Sequence, residues 1–389
     1  MSRLIGVVTV ARSDYGHLTP VLTAVRDAAD LRLALFVGGA HLLPRFGHTV
    51  RAIEGDGWPI AARIEGARDE DTPEAVAAGA GAAVTGFARA FAAHRPDLLV
   101  VLGDRVEMLA AAVAALPFAL PVAHVHGGEV TEGAMDEQAR HAITKLAHLH
   151  FAAAEVSAER IRAMGEEPWR VHCTGAPGLD RLAALATLSR EALADRLGLP
   201  LRRPTLLVTF HPETLAYADV PEQVEELAAA LEKTEGDVIV TFPGADTSAY
   251  AIITRLRALA LARPRTRLVE SLGDDVYASL LREADAMVGN SSSAIIEAPS
   301  FGLPAVNIGD RQRGRLRGAN VIDVGHGRDE IAAGVRRALD PAFRRALSGR
   351  PNPYGDGRAA PRIVRVLSEV ELGPRLVRKR FADREAGGR

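Results

Sequence analysis

Between Gly103 and Lys145 the chain concentrates groups that can move protons. Gly103-Asp104-Arg105 follows the apolar run Leu98-Leu99-Val100-Val101-Leu102, and His126-Gly127-Gly128-Glu129 follows the run Pro121 to Val125. Asp136 opens the next helical segment, through Leu149, which also carries Arg140, His141 and Lys145. Carboxylates and histidines are the usual general acids and bases near neutral pH. Each apolar run reads as a buried strand, and open α/β sheets bind ligands at the carboxyl ends of their strands. Asp104, Arg105, His126, Glu129 and Asp136 are therefore expected to converge on one crevice. Asp and Gly are also ordinary turn residues. Two consecutive strand ends with the same enrichment favour the functional reading.

A second set of residues suits an anion. After the first apolar run comes Arg12-Ser13-Asp14-Tyr15-Gly16, a strand-to-helix turn whose arginine could hold a phosphate. In the second half, Phe210-His211-Pro212-Glu213-Thr214 ends a strand. Gly289-Asn290-Ser291-Ser292-Ser293 joins a strand to a helix, with Glu297 on that helix. The small residues admit a ligand to the backbone, and free N–H groups, hydroxyls and a helix dipole all favour negative charge. Glu297 could accept from a ribose diol. Gly309-Asp310-Arg311-Gln312-Arg313-Gly314-Arg315 adds guanidinium groups after the next strand. No G-x-G-x-x-G run is present, so no dinucleotide cofactor is indicated.

These groups need a scaffold, and the pattern around them supplies one. Strands are expected at Leu4–Val10, Leu31–Val37, Leu98–Leu102, Pro121–Val125 and His148–Ala152, with helices at Leu18–Ala28, Thr72–His94 and Val106–Ala115. Thr72-Pro73-Glu74 is a strong helix start: a hydroxyl cap, proline at the first position and an acid in the first turn. After a helical segment, Leu188–Leu197, and a Gly/Pro/Arg-rich boundary between about Gly175 and Pro204, the alternation resumes. Strands follow at Thr205–Phe210, Asp237–Phe242, Thr266–Val269, Ala286–Val288, Ala305–Ile308 and Val321–Val324, and helices at Val220–Glu232, Ser248–Ala262, Val276–Glu283 and Ser293–Ser300. This predicts an α/β protein of two Rossmann-like doubly wound domains facing across a cleft, residues 1–175 and 176–364. The basic tail from Arg375 reads as a solvated helix face, with Gly387-Gly388-Arg389 frayed.

Composition narrows the partners. With 48% hydrophobic residues, 25% charged residues and a net charge of −2, the chain has no field to attract nucleic acid or an anionic membrane. Its single cysteine, Cys173, reads as a small buried hydrophobe, and a cysteine-rich metal site is excluded. The N-terminus reads as a strand rather than a signal peptide. No segment has the ~18 uninterrupted apolar residues of a membrane span. A cytoplasmic enzyme is the expectation.

The ordered motifs Arg12-Ser13-Asp14-Tyr15-Gly16, Leu102-Gly103-Asp104-Arg105, His124-Val125-His126-Gly127-Gly128-Glu129, Arg140-His141-Ala142-Ile143-Thr144-Lys145, Phe210-His211-Pro212-Glu213-Thr214, Gly289-Asn290-Ser291-Ser292-Ser293 and Gly309-Asp310-Arg311-Gln312 resemble those of the hydrolysing UDP-N-acetylglucosamine 2-epimerases of sialic-acid and related nonulosonic-acid biosynthesis. The resemblance runs to about Asn352-Pro353-Tyr354-Gly355. It implies the glycosyltransferase-B arrangement, with a C-terminal helix, about 365–389, crossing back to the first domain. It implies UDP binding by Arg12, Arg105, His211, Ser291, Ser292, Ser293, Glu297 and Arg311. Acid–base work would fall to Asp104, His126, Glu129, Asp136 and His211, without a metal or cofactor. Some relatives carry a catalytic glutamate at the position of His126, so either His126 or Glu129 takes its role here. Relatives also carry Asn at Gly244 and a Gly-Ser pair near Ser248-Ala249, which bears on the sugar. UDP-N-acetylglucosamine is the first expectation and UDP-2,4-diacetamido-2,4,6-trideoxyglucose the alternative, with a glycosyltransferase of the same fold behind them. A homodimer or larger homo-oligomer is what the resemblance suggests.

Overall fold

The computed structural model describes residues 2–66, 72–132, 135–212, 219–243, 249–270 and 272–383. Glu213, Thr214, Gly244, Ser248 and the tail from Arg384 lie outside the described residues. The chain divides into two compact units. The first comprises Met1–Glu129, Met135–Arg181 and Tyr354–Arg389; the second comprises Val130–Ala134 and Leu182–Pro353. The chain thus returns to the first unit at Tyr354, earlier than residue 365, and the helix Pro177–Ala184 begins in the first unit.

The first unit is built on seven strands: β1 Arg3–Thr9, β2 Leu31–Gly38, β3 Ile60–Ile64, β4 Leu98–Leu102, β5 Val122–Val125, β6 Leu149–Ala152 and β7 Val171–Cys173. Their order is β3-β2-β1-β4-β5-β6-β7, and every pair is parallel. Strands buried on both faces need continuous apolar sequence, and Leu98-Leu99-Val100-Val101-Leu102 is wholly buried. β3 and β7 lie at the sheet edges, pair on one side only and carry Arg63 and His172, so their runs are less apolar. For the same reason Cys173 is exposed, not buried as its apolar neighbours suggest.

Thr72 caps the helix Pro73–His94, its hydroxyl accepting from the Ala75 N–H at 3.1 Å. That helix is long and apolar enough by composition to cross a membrane, and here it packs Ala83, Phe87, Ala90 and Phe91 into the core of the first unit. The tail is not one helix across its described part. Ala359–Glu369 buries Ile363 and Leu367 on the helix Arg12–Asp27, and the short turn Pro374–Val377 buries Leu376. Fully buried Arg170 donates to the carbonyls of Leu376, Arg375 and Arg378, so the basic run is anchored through its backbone.

The second unit repeats the design with β8 Thr205–Thr209, β9 Asp237–Thr241, β10 Thr266–Val269, β11 Ala286–Gly289, β12 Ala305–Ile308 and β13 Val321–Val324. Its order is β10-β9-β8-β11-β12-β13, again all parallel. In each unit the order reverses direction beside the first strand, between β1 and β4 and between β8 and β11. Such a switch point opens a crevice at the strand ends.

Candidate functional site

In the first unit the switch point collects the expected residues. Arg12 to Gly16 do not form a turn before a helix, as the sequence suggests; they are the first turn of the helix Arg12–Asp27 itself. Ala11, extended, precedes it, so Arg12 and Ser13 are exposed while Asp14 turns inward. Arg105 leads into the helix Val106–Ala115 after β4. Its Nε lies 3.4 Å from Asp14 Oδ1 and a terminal nitrogen 3.4 Å from Ser13 Oγ.

Asp104 and His126 end neighbouring strands, with Leu102 opposite Val125 and the Gly103 N–H donating to the Val125 carbonyl at 2.9 Å. Asp104 is partly exposed and pairs with Arg140, which is only 2% exposed. Arg140 also donates to the Glu129 carbonyl at 3.0 Å and to Glu137 at 3.2 Å. Arg140 therefore ties the β4 turn, the β5 turn and the helix Met135–Leu146 together. Asp136 stands one turn before Arg140, on the same helix face.

His126 holds a left-handed backbone, φ 63°, which non-glycine residues adopt only where their surroundings impose it. Its Nδ1 lies 2.5 Å from Glu129 Oε1, and both side chains are buried. A carboxylate accepts, so Nδ1 carries the hydrogen, and in the neutral imidazole Nε2 is then the acceptor nitrogen. Among the described residues that buried Nε2 has no hydrogen-bond partner. The ring of His17 lies beside it, centroids 6.1 Å apart. Behind the site, His124 Nε2 donates to the Gly103 carbonyl at 2.7 Å and Nδ1 faces Thr144 Oγ1 at 3.2 Å. Burial pushes the His124 imidazole down to about 3, so it is neutral and structural.

The second unit assembles its residues around Asn290, fully buried after β11. Asn290 Oδ1 accepts from the His211 N–H at 2.7 Å, and its Nδ2 donates to the His211 carbonyl at 2.9 Å. The Asn290 carbonyl accepts from Arg311 at 3.1 Å and from Gln312 at 2.9 Å. One residue thereby locks the β8 end, through its side-chain amide, and the β12 end, through its main-chain carbonyl, to the β11 end. The sequence offers Asn290 and Gln312 only as members of the Gly-Asn-Ser and Asp-Arg-Gln runs. Their framing role depends on burial, which no spacing reveals. Burial first, and then Arg311, lower the His211 imidazole to about 3. His211 is therefore neutral at physiological pH.

The serine turn departs from expectation in one respect. The segment after Ser292 is a single α-turn, Ser293–Ile296, followed by the 3₁₀ turn Ala298–Phe301, not a helix through Ser300. One turn sums too few peptide dipoles to act as a macrodipole. Anion binding here would fall to individual N–H groups, hydroxyls and Arg311. Ser291 Oγ accepts from the Ser293 N–H at 3.3 Å. Ser293 Oγ accepts from the Tyr277 hydroxyl at 2.5 Å and donates to Glu297, so Tyr277, Ser293 and Glu297 form one chain. Among the described residues, no group of three or more His, Cys, Asp or Glu side chains could hold a metal ion.

Residues 23–368 match the family described as UDP-N-acetylglucosamine 2-epimerase. The chain is 36% identical over 380 residues to the UDP-N,N'-diacetylbacillosamine 2-epimerase (hydrolyzing) of Legionella pneumophila, covering 97% of this chain and 99% of that one. It is 35% identical over 323 residues to the GDP/UDP-N,N'-diacetylbacillosamine 2-epimerase (hydrolyzing) of Campylobacter jejuni, covering 82% and 84%. The structure of UDP-GlcNAc 2-epimerase from Neisseria meningitidis bound to UDP-GlcNAc shares the fold, with a TM-score of 0.77 over 94% of this chain and 99% of that chain at 17% identity. With two parallel α/β units, this set of strand-end residues and a family match across most of its length, the chain belongs to the UDP-N-acetylglucosamine 2-epimerase family.

Proposed function

We propose that this chain is a hydrolysing 2-epimerase of a UDP-2-acetamido sugar, and that the His126–Glu129 pair supplies one of its two acid–base groups. The observation that carries the proposal is the buried Nε2 of His126, without a hydrogen-bond partner among the described residues, in a ring set by its bond to Glu129 at the end of β5, the strand next to the one that Asp104 follows. A carboxylate that fixes an imidazole tautomer makes the other nitrogen a competent base. This divides the role left open between the two residues: His126 moves the proton and Glu129 orients it. Asp104 and Asp136 are the candidates for the second group. Arg12, Arg105, Ser291, Ser292 and Arg311 are assigned to the diphosphate, and Ser293 and Glu297 to the nucleoside side. His211, neutral and cationless, hydrogen-bonds rather than neutralises charge.

The chemistry follows from these roles. The C2 proton of a hexose is not activated by a carbonyl. It becomes acidic as the C1–O bond to diphosphate breaks and positive charge grows at C1. UDP leaves with the bonding pair, stabilised by arginines and N–H groups, while a base takes the C2 proton and a C1=C2 double bond forms. Water then adds its hydroxyl at C1, and a second group delivers a proton to C2 from the opposite face. The products are UDP and the free 2-epimer.

For the sugar, identity to the Legionella and Campylobacter enzymes over most of the chain favours UDP-2,4-diacetamido-2,4,6-trideoxyglucose, the alternative raised by the sequence. UDP-N-acetylglucosamine, which the family description names, is the second reading. Incubating the purified protein with each sugar in D₂O, followed by NMR of the products, tests all of this. One substrate should yield UDP and a free 2-epimer with one deuterium at C2. A 2-epimer still bound to UDP, or a product with no deuterium at C2, would sink the reading.

A further inference from the structure

Arg105 and Arg140 serve the same strand ends but are held very differently. Arg140 is buried against Asp104, Glu137 and a backbone carbonyl. The side chain of Arg105 is 47% exposed, and its contacts to Asp14 and Ser13 are both 3.4 Å, at the long limit of a hydrogen bond. Its counter-ion is the more confined partner. Asp14 is 5% exposed, and Asp14 Oδ2, also buried, has no hydrogen-bond partner among the described residues. A buried carboxylate with one oxygen loosely paired and the other unpaired is costly when ionised and cheap when protonated.

We propose that Asp14 is the resident counter-ion of Arg105, and that a bound nucleotide diphosphate takes over the guanidinium while Asp14 takes up a proton. The proposal rests on the assignment of Arg105 to the diphosphate. The charges facing Asp14 agree with it. Asp104 and Glu107, on the turn and helix that carry Arg105, both act to raise the Asp14 carboxyl, and His41, which Arg105 also influences, is kept neutral, its imidazole lowered to about 4 by burial and then by Arg105. Arg12 precedes Asp14 on its own helix. Burial, the largest influence, raises the Asp14 carboxyl to about 6 even with Arg105 pulling it down. Once phosphate engages Arg105, the influences that raise it prevail. A proton from solvent adds to a carboxylate oxygen of Asp14, and no other covalent bond changes. The bound state then holds more protons than the free state, so diphosphate binding strengthens as pH falls toward about 6.

The test uses UDP as the probe and calorimetry of the full chain at about pH 6.5, in two buffers of different ionisation enthalpy. Wild type should take up about half a proton more per site than Asp14→Asn, which keeps an oxygen for Arg105 but cannot titrate. Protonation of the UDP phosphate itself is common to both and cancels. Arg105→Ala should bind UDP more weakly. Equal proton uptake in wild type and Asp14→Asn, with Arg105→Ala weakened, overturns the counter-ion exchange and leaves the assignment of Arg105 standing. Unchanged UDP affinity in Arg105→Ala overturns that assignment and the proposal with it. Should Asp14→Asn fail to fold, difference infrared spectroscopy of wild type decides: UDP must increase the protonated-carboxyl band, and no increase overturns the proposal.

Discussion

At the scale of single residues, the two acid–base partners should separate by their kinetics. His126→Asn removes the basic nitrogen and should lower kcat by roughly 10²–10⁴-fold while UDP still binds. Glu129→Gln keeps the size and leaves Nε2 in place but releases the tautomer; its loss should be smaller, with a shifted pH–rate profile. Steady-state assays coupled to UDP release measure both. Equal, pH-independent losses in the two variants would count against the division of roles. On the second unit, Arg311 is pinned by the Asn290 carbonyl and faces neutral His211. Arg311→Ala should weaken UDP binding by about 1.5–3 kcal/mol, the range for a charge-assisted hydrogen bond. Calorimetry showing no change would remove Arg311 from the anion site.

At the scale of elements, the turns do the positioning, and glycine is what lets them close. Gly289 ends β11 with φ 133°, and a Cβ there would sit 1.9 Å from the Thr209 carbonyl oxygen of β8. That contact is backbone, so no rotamer change relieves it. Gly289→Ala should therefore destabilise the second unit by about 2–4 kcal/mol, combining backbone strain with overpacking. It should also displace Asn290 and with it the hydrogen bonds to His211 and Arg311. An urea transition at wild-type concentration together with wild-type UDP affinity would show that the turn tolerates a side chain.

At the scale of the whole molecule, the chain closes its first unit with its own C-terminal segment. Buried Glu166 accepts from Lys145 at 2.6 Å, from His150 at 3.1 Å and from Lys379 at 2.8 Å. Burial raises the Glu166 carboxyl, but the bonds from His150, Lys145 and Lys379 outweigh it and bring it down to about 2. A carboxyl depressed on folding stabilises above its unfolded value, near 4.5, and that stabilisation is lost as pH falls toward about 2. Glu166→Gln should cost about 2–3 kcal/mol near neutral pH, below the usual cost of a broken buried pair because the lysines reach solvent. Amide exchange of residues 374–383 should accelerate with it. Unaltered exchange there would mean that Arg170 and Leu376 alone hold the segment.

Much of this protein was legible from sequence because its signals are local. Strands buried on both faces are near-continuous apolar runs, so Leu98–Leu102 and Ala305–Ile308 could be read to the residue, and the alternation of strands and helices placed the edge strands Thr266–Val269 and Val321–Val324 as well. Gly, Asp, His and Ser gathered after such runs located the strand ends, and the order of the motifs pointed to the family. What sequence could not supply depends on neighbours distant along the chain. β3 and β7, paired on one side, lack the apolar run that marks a strand, and Cys173 is exposed because it lies on that edge. Arg12 to Gly16 looked like a loop because their polarity outweighs helix periodicity, yet the sheet below turns Asp14 inward and makes them a helix. The partition of work between His126 and Glu129 needed the turn that brings Nδ1 within 2.5 Å of Oε1. Protonation likewise follows from burial: His124 and His211 are neutral, and Asp14 sits near 6, because tertiary packing removes the water that would solvate their charged forms.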